Sequence, residues 1–227
     1  MQRNTGRFGI IPLKTHLSNA FLVLGPQATM LVDAGSPGEA GLIQATLHRL
    51  GCDKLDLIFL THAHYDHFGA AAALKRTNGT PVAIHAADAE ALRLGETRLG
   101  TVRGRGRLVR FGLPVLERFF PAEGVKADIL LQDGDRLDGF GFPARVLYSP
   151  GHTPGSSTLI LDDEIAFAGD LVSTTGRPHA QRYYAHDWEA LQRSLKRLQA
   201  ARPRLVYPGH GQRPLSQAEL QSLKCCE

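Results

Sequence analysis

A chain of 227 residues with 43% hydrophobic and 21% charged residues has the balance of a globular protein and is long enough for one sizeable core. Its formal charge of +4 excludes a strongly acidic or uniformly basic protein, and no run approaches the roughly 18 apolar residues of a membrane span. The polar start at residues 1–7, followed by a segment broken at Gly9 and Pro12, is not a signal peptide, so no membrane association and a cytoplasmic location are expected.

A hairpin is predicted over 20–24 and 28–33, turning at Gly25 and Pro26. Residues 37–50 read as a helix with Ile43, Leu47 and Leu50 on one face. Cys52 reads as structural, since three cysteines suit a reducing compartment. Residues 55–60 are apolar without Gly or Pro, which reads as a buried strand. The Ala-rich stretch 68–75 reads as a helix, 81–84 as a strand, and about 87–94 as a helix. Strands separated by turns run from about 128 to 168. Residues 187–200 form a predicted helix capped by Asp187, with Trp188, Leu191, Leu195 and Leu198 inward. Ser216 with Glu219 makes a capping box for a last short helix. Cys225 and Cys226 read as a frayed end.

Seven residues of metal-binding type fall at the ends of these strands. Thr61-His62-Ala63-His64-Tyr65-Asp66-His67 occupies a strand-to-helix loop. Residues two apart on an extended chain project the same way, so His62 and His64 approach one ion while Asp66 and His67 face a second. His152, in Gly151-His152-Thr153-Pro154-Gly155-Ser156, follows the strand 144–148. Asp170 follows 165–168, and His210 follows 205–207. Neutral imidazole and carboxylate suit zinc, and are compatible with iron or manganese. Seven ligands are too many for one tetrahedral ion and fit two. The proposed assignment gives His62, His64 and His152 to the first ion, Asp66, His67 and His210 to the second, and Asp170 to both. His16, His48, His85 and His186 read as surface or helix-cap residues.

These motifs, in this order and with Leu31-Val32-Asp33-Ala34-Gly35 upstream, resemble the metallo-β-lactamase superfamily over about 18–213. The resemblance implies an α/β fold of four layers, an αββα sandwich with the metals at one edge between two sheets. It also implies that Asp33 orients a ligand or the ligand loop. A carboxylate at Asp170 is similar to the glyoxalase II and lactonase branches and departs from the true β-lactamases. The short stretch after His210 leaves no room for the glutathione-binding C-terminal domain of typical glyoxalase II, which reads against a glutathione thioester.

The whole chain is expected to be a single domain with an Arg-rich insert at about 93–126. Arg93, Arg98, Arg103, Arg105, Arg107, Arg110 and Arg118 are opposed only by Glu96 and Glu117, a local excess of five that exceeds the net charge of the chain. The insert reads as a flap or helical excursion: a lid drawing an anionic small-molecule substrate to the metals, or, through its Phe/Leu portion, a homodimer contact. A second candidate wall follows Asp170. There Arg177 is placed to hold a carboxylate and Tyr183 or Tyr184 to donate to an oxyanion, with His179 beside them.

The expected chemistry is hydrolysis of a small acyl compound (thioester, lactone or ester). Two ions about 3.5–4 Å apart would share a hydroxide, and Asp66 and Asp170 would be the catalytic carboxylates, Asp66 steering the nucleophile or its proton. Two alternatives are a metal-dependent phosphodiesterase or nuclease and a mononuclear-iron sulfur dioxygenase. The scarcity of aromatics among the arginines argues against nucleic acid as partner.

Overall fold

In a computed structural model, which describes residues 3–4, 7–52 and 54–224, side chains along the central strands alternate between two buried faces. The first sheet begins antiparallel: β1 (Arg3–Asn4), β2 (Gly9–Lys14), β3 (Asn19–Leu24) and β4 (Thr29–Val32). It continues after helix α1 (Ala40–Arg49) with β5 (Leu57–Phe59), parallel to β4. The chain then forms α2 (Tyr65–Phe68) and α3 (Ala71–Asn78) and returns as β6 (Val82–His85), parallel to β5. Ala20, Leu22, Leu31, Ile58, Val82 and Ile84 face the helices, where Ile43, Leu47, Phe68 and Leu74 meet them. The intervening Phe21, Val23, Met30, Val32, Leu57, Phe59 and Ala83 face the opposite way.

That opposite face packs on a second sheet. After β6 the chain makes α4 (Ala89–Leu94), β7 (Thr101–Val102) and α5 (Gly106–Phe119), then adds β8 (Ile129–Leu131) to the far edge of the first sheet. Next come β9 (Ala144–Tyr148), β10 (Ser157–Leu161) and β11 (Ile165–Thr174), an antiparallel meander. β12 (His179–Ala180) pairs with β11, and β13 (Tyr184–Ala185) pairs with β7. Helix α6 (Trp188–Ala201) precedes β14 (Leu205–Gly211), parallel to β11; β15 (Leu215–Ser216) and α7 (Gln217–Ser222) close the chain. Val146, Leu159, Leu161, Ile165, Phe167 and Tyr207 fill the space between the sheets. Ile160, Ala166, Ala168 and Val206 face α6 and α7 through Leu191, Leu195, Leu198 and Leu220. Three apolar layers therefore separate helix, sheet, sheet and helix, the four-layer αββα arrangement.

Most predicted elements are present, including the Asp187 cap, whose side chain accepts from the Glu189 and Ala190 amides, and the Ser216–Glu219 capping box. Four differences have local causes. The segment 9–14 is a strand despite Pro12, because β1 pairs only with Gly9 and Ile10, so the missing N–H falls where no partner is required. The Ala-rich helix is interrupted after Phe68, where the Gly69 amide leaves the helix to donate to the Gly35 carbonyl at 2.8 Å. Asp170 and His210 lie within β11 and β14 rather than after them, at a place where the pairing of the two strands shifts register. Trp188 is only half-buried, its ring under the Arg103 guanidinium at 4.2 Å. Cys225 and Cys226 lie outside the described residues, and among the described residues no helix is long and apolar enough to cross a membrane.

The Arg-rich insert contains a 14-residue helix, α5, in which only Gly106 is buried. Its start is tied down by the β7–β13 pair and by the Arg103 amide donating to the Tyr183 carbonyl at 2.6 Å; near its end the Tyr65 hydroxyl donates to the Phe120 carbonyl at 2.7 Å. Leu108, Phe111, Val115 and Phe119 remain exposed. Phe167 is the counter-case, 1% exposed and packed on Phe21 and Tyr207 with ring centroids 5.4 and 5.2 Å away. Phe167→Ala is expected to lower unfolding free energy by about 3–5 kcal/mol in a urea titration, whereas exposed Leu130→Ala should cost less than about 0.5 kcal/mol.

Candidate metal centre

All seven predicted residues converge at one edge of the sandwich. His62 and His64 lie on the loop after β5, Asp66 and His67 on α2, His152 on the loop after β9, Asp170 on β11 and His210 on β14. Their nitrogen and carboxylate atoms form three overlapping groups, each within 4.8 Å: His62–His64–His152, His62–His67–Asp170 and Asp66–His67–His210. The first and third are the two ligand sets expected from the sequence, and the second places Asp170 between them. His62, His64, His67, His152 and Asp170 are buried; Asp66 and His210 are half-buried at the mouth.

The hydrogen bonds on the outer side of each imidazole assign its tautomer. His62 Nδ1 meets Thr61 Oγ1 at 3.0 Å, His67 Nδ1 donates to Asp33 Oδ2 at 2.8 Å, and His210 Nδ1 donates to the Leu17 carbonyl at 2.9 Å. His152 Nδ1 donates to the Tyr184 carbonyl at 3.2 Å, and His64, turned the other way round, donates from Nε2 to the Arg98 carbonyl at 3.3 Å. Each ring therefore directs its other nitrogen inward. His152 Nε2 and His64 Nδ1, both directed inward, stand 3.0 Å apart. Buried His62 Nε2, His67 Nε2, His210 Nε2 and Asp170 Oδ1 have no hydrogen-bond partner among the described residues. Buried lone pairs facing one another are unfavourable unless a cation lies among them, so the donor set fits divalent metal ions.

The electrostatics divide along the same line. Burial, then the neighbouring His67, holds His62 well below the ordinary imidazole pKa. Burial also lowers His64, and burial with the His64 charge lowers His152 to about 3. His67 and His210 lie closer to carboxylates. Burial opposes their protonation, yet Asp33 raises His67 well above the ordinary value and Asp170 raises His210 to about 9. Asp170, although buried, is held well below the carboxylate range by His210 and His67, with His210 Nε2 at 3.2 Å and His67 Nε2 at 3.3 Å. The three-histidine side is kept neutral and ready to ligate, while the carboxylate side demands positive charge.

Two glycines let the strands reach this point. A Cβ on Gly169, whose φ is +48°, would lie 2.6 Å from Thr61 Oγ1, and one on Gly209 would lie 2.3 Å from Asp170 Oδ1. Asp33 has φ +56° and ends β4 beside the loop. Its carboxylate accepts from the Thr61 amide at 2.8 Å and the Thr61 hydroxyl at 2.9 Å as well as from His67, so it orients both halves of the ligand loop as the resemblance implies.

A second orienting carboxylate, Asp88, has no counterpart in the sequence reading. It is 2% exposed and accepts from the Ala63 amide at 2.9 Å, the Thr153 hydroxyl at 2.7 Å and the Gly155 amide at 2.6 Å. It thereby fastens the loop carrying His62 and His64 to the loop carrying His152. In the sequence it is one acid at the start of a predicted helix, which carries no motif. Gln181 was also not anticipated; it is buried behind the site, with its amide nitrogen 3.4 Å from the Asp170 carbonyl.

The expected substrate wall is only partly assembled. Tyr184 packs 5.2 Å from the His152 ring and 6.1 Å from His64, and burial followed by the Asp170 charge raises its pKa, so its hydroxyl stays a donor. Tyr183 and His179, a T-shaped pair at 6.2 Å, line a cavity of about 300 Å³ that reaches Asp170 and His210. Arg177 is exposed and is not among the residues lining that cavity.

The Metallo-beta-lactamase superfamily model matches residues 13–210. The chain is 31% identical to hydroxyacylglutathione hydrolase GloC of Haemophilus influenzae, over 89% of each protein. It is 33% identical to acyl-coenzyme A thioesterase MBLAC2 of Bos taurus, over 68% of this chain and 58% of that protein. Among solved structures it is similar to the BLEG-1 B3 metallo-beta-lactamase, with a TM-score of 0.71 and 26% identity over 93% of this chain and 95% of that one. Asp88→Ala would strand three buried donors, and we expect it to lower unfolding free energy by about 2–4 kcal/mol in urea; a loss below about 1 kcal/mol would show that the two loops hold together without it.

Proposed function

The chain belongs to the metallo-beta-lactamase superfamily and is a metal-dependent hydrolase, and from that premise we propose that it uses two divalent ions to hydrolyse a small acyl compound: a thioester, a lactone or another carboxylic ester. The observation that carries the two-ion reading is the set of five inward imidazole nitrogens with Asp170 between the groups. His62, His64 and His152 hold one ion in this assignment, Asp66, His67 and His210 the other, and Asp170 lies between both. Zinc is the metal that such imidazole and carboxylate donors favour. Two relatives, a hydroxyacylglutathione hydrolase and an acyl-coenzyme A thioesterase, favour the thioester among the three substrates.

Bound there, the ions supply a nucleophilic water near neutral pH and draw charge from the acyl oxygen. The remaining work falls to the side chains. Half-buried Asp66 stands at the mouth with Oδ2 3.4 Å from His210 Nε2, placed to orient the attacking water and take its proton on a carboxylate oxygen. Tyr184 keeps its proton and donates to the developing oxyanion. Asp33 and Asp88 hold the ligand loops so that little reorganisation is required during reaction.

Elemental analysis of protein purified without chelators is expected to give about two zinc ions per chain, and one iron per chain would overturn the two-ion hydrolase. Asp170→Ala should lower the content toward one ion and cut kcat/KM for a thioester at least 100-fold; unchanged turnover would remove Asp170 from its bridging place. Stripping the ions with a chelator is expected to lower Tm by roughly 5–10 °C, since a ligand at 100 times its Kd adds about 2.7 kcal/mol to the stability of a chain of this size.

A further inference from the structure

The site opens into two chambers, both largely apolar, and Arg105 lines one of them and not the other. One is the cavity of about 300 Å³ noted above, lined by Arg105, Ser173, His179 and Gln181 beside Asp170. The other, about 470 Å³, lies under α5 and reaches His64 and Asp66; its walls include Tyr65, Leu99, Leu113 and Leu116. Val109, Tyr184 and His210 line both, so the ligand cluster stands where the chambers meet. A bond cleaved at that junction has its two halves in different surroundings.

The pocket-facing edge of α5 explains the larger chamber. Val109, Leu113 and Leu116 recur at helical spacing on one side of the helix, yet within α5 only Gly106 is buried. These side chains roof an open space rather than a packed core. The arginines of α5 point elsewhere, since Arg107, Arg110 and Arg118 are exposed and absent from the chamber walls, while the half-buried Glu117 carboxylate sits behind Thr97 and Tyr65 on the chamber wall.

Resting on the acyl-hydrolase reading, we propose that the acyl group is an apolar chain that lies beneath α5 and that the leaving group carries an anionic part directed toward Arg105. A cavity of about 150 Å³ with aliphatic walls takes a six-carbon ring, so one of 470 Å³ has room for a chain of roughly eight to twelve carbons. In the reaction, the acyl carbon–sulfur or carbon–oxygen bond breaks, water supplies the oxygen of the new carboxylate, and the departing thiol or alcohol takes a proton. The fatty acid anion leaves from the larger chamber and the polar fragment from the other.

The test is a series of acetyl, butyryl, octanoyl and dodecanoyl thioesters of an anionic and of an uncharged thiol, assayed with the metal-loaded protein. Each methylene buried is worth about fourfold, so kcat/KM is expected to climb two- to fourfold per methylene up to octanoyl. Leu116→Trp, with Leu113→Trp as a second variant, should reduce the octanoyl-to-acetyl ratio at least tenfold; a ratio is unaffected by a fraction of misfolded protein. Arg105→Ala should weaken turnover of the anionic thioesters and not the uncharged ones. Calorimetry gives a readout apart from activity: decanoate should bind, acetate should not, and Leu116→Trp should abolish decanoate binding. Equal kcat/KM for acetyl and octanoyl substrates would overturn the chain proposal and leave the hydrolase reading standing. No turnover of any member with two ions bound would overturn the thioester as substrate, and decanoate binding would then decide whether the chamber takes an apolar chain.

Discussion

Five imidazoles whose outer nitrogens are hydrogen-bonded, and whose inner nitrogens are crowded together, are the constraint on which the rest of the structure depends. Thr61, Asp33, the Leu17, Arg98 and Tyr184 carbonyls each take one outer N–H. Those acceptors come from the end of β4, the loop after β5, the β2–β3 turn, the insert and β13. Every layer that approaches this edge therefore contributes to fixing a tautomer. A cluster of this kind is destabilising as an arrangement of side chains alone, which is why it is embedded in a rigid sandwich rather than carried on free loops.

The sandwich answers that demand through strand direction. β4, β5 and β6 run parallel, as do β11 and β14, so successive strand ends deliver their ligands to the same edge. The two halves approach each other there without a side chain between them at Gly169 and Gly209, where any Cβ would collide with Thr61 or His67. Two carboxylates then lock the halves: Asp33 spans the ligand loop within the first half, and Asp88 spans the first half and the second. Packing elsewhere, in three apolar layers, is of an ordinary kind; at this edge it gives way to a network of hydrogen bonds.

The insert follows a different logic. α5 is amphipathic, yet neither apolar side of it is packed in the way the helices of the outer layers are: one edge roofs the larger chamber and the other leaves Leu108, Phe111, Val115 and Phe119 exposed. Its anchors are at its ends, through β7 and through the Phe120 carbonyl. A helix held at both ends with few buried contacts between them has low local stability by comparison with the sheets. Low local stability of this kind is what a lid over a buried site would require.

The ligands were legible in the sequence because their spacing is local. Two apart on an extended chain, or next to a Gly/Pro turn at the end of an apolar run, is enough to assign His62, His64, Asp66, His67, His152, Asp170 and His210 to one edge. The caps at Asp187 and Ser216 were legible for the same reason, since each is completed within three residues. What tertiary structure alone decided is what links distant segments: the tautomers of the histidines, the bridging of two loops by Asp88, and the absence of Arg177 from the cavity beside the site. It also decided that the apolar residues among the arginines would enclose a chamber rather than a core. The pattern of α5 shows which side chains share a face, but whether that face meets packed side chains or open space depends on how far the helix stands from the sheets, and chain neighbours carry no record of that distance.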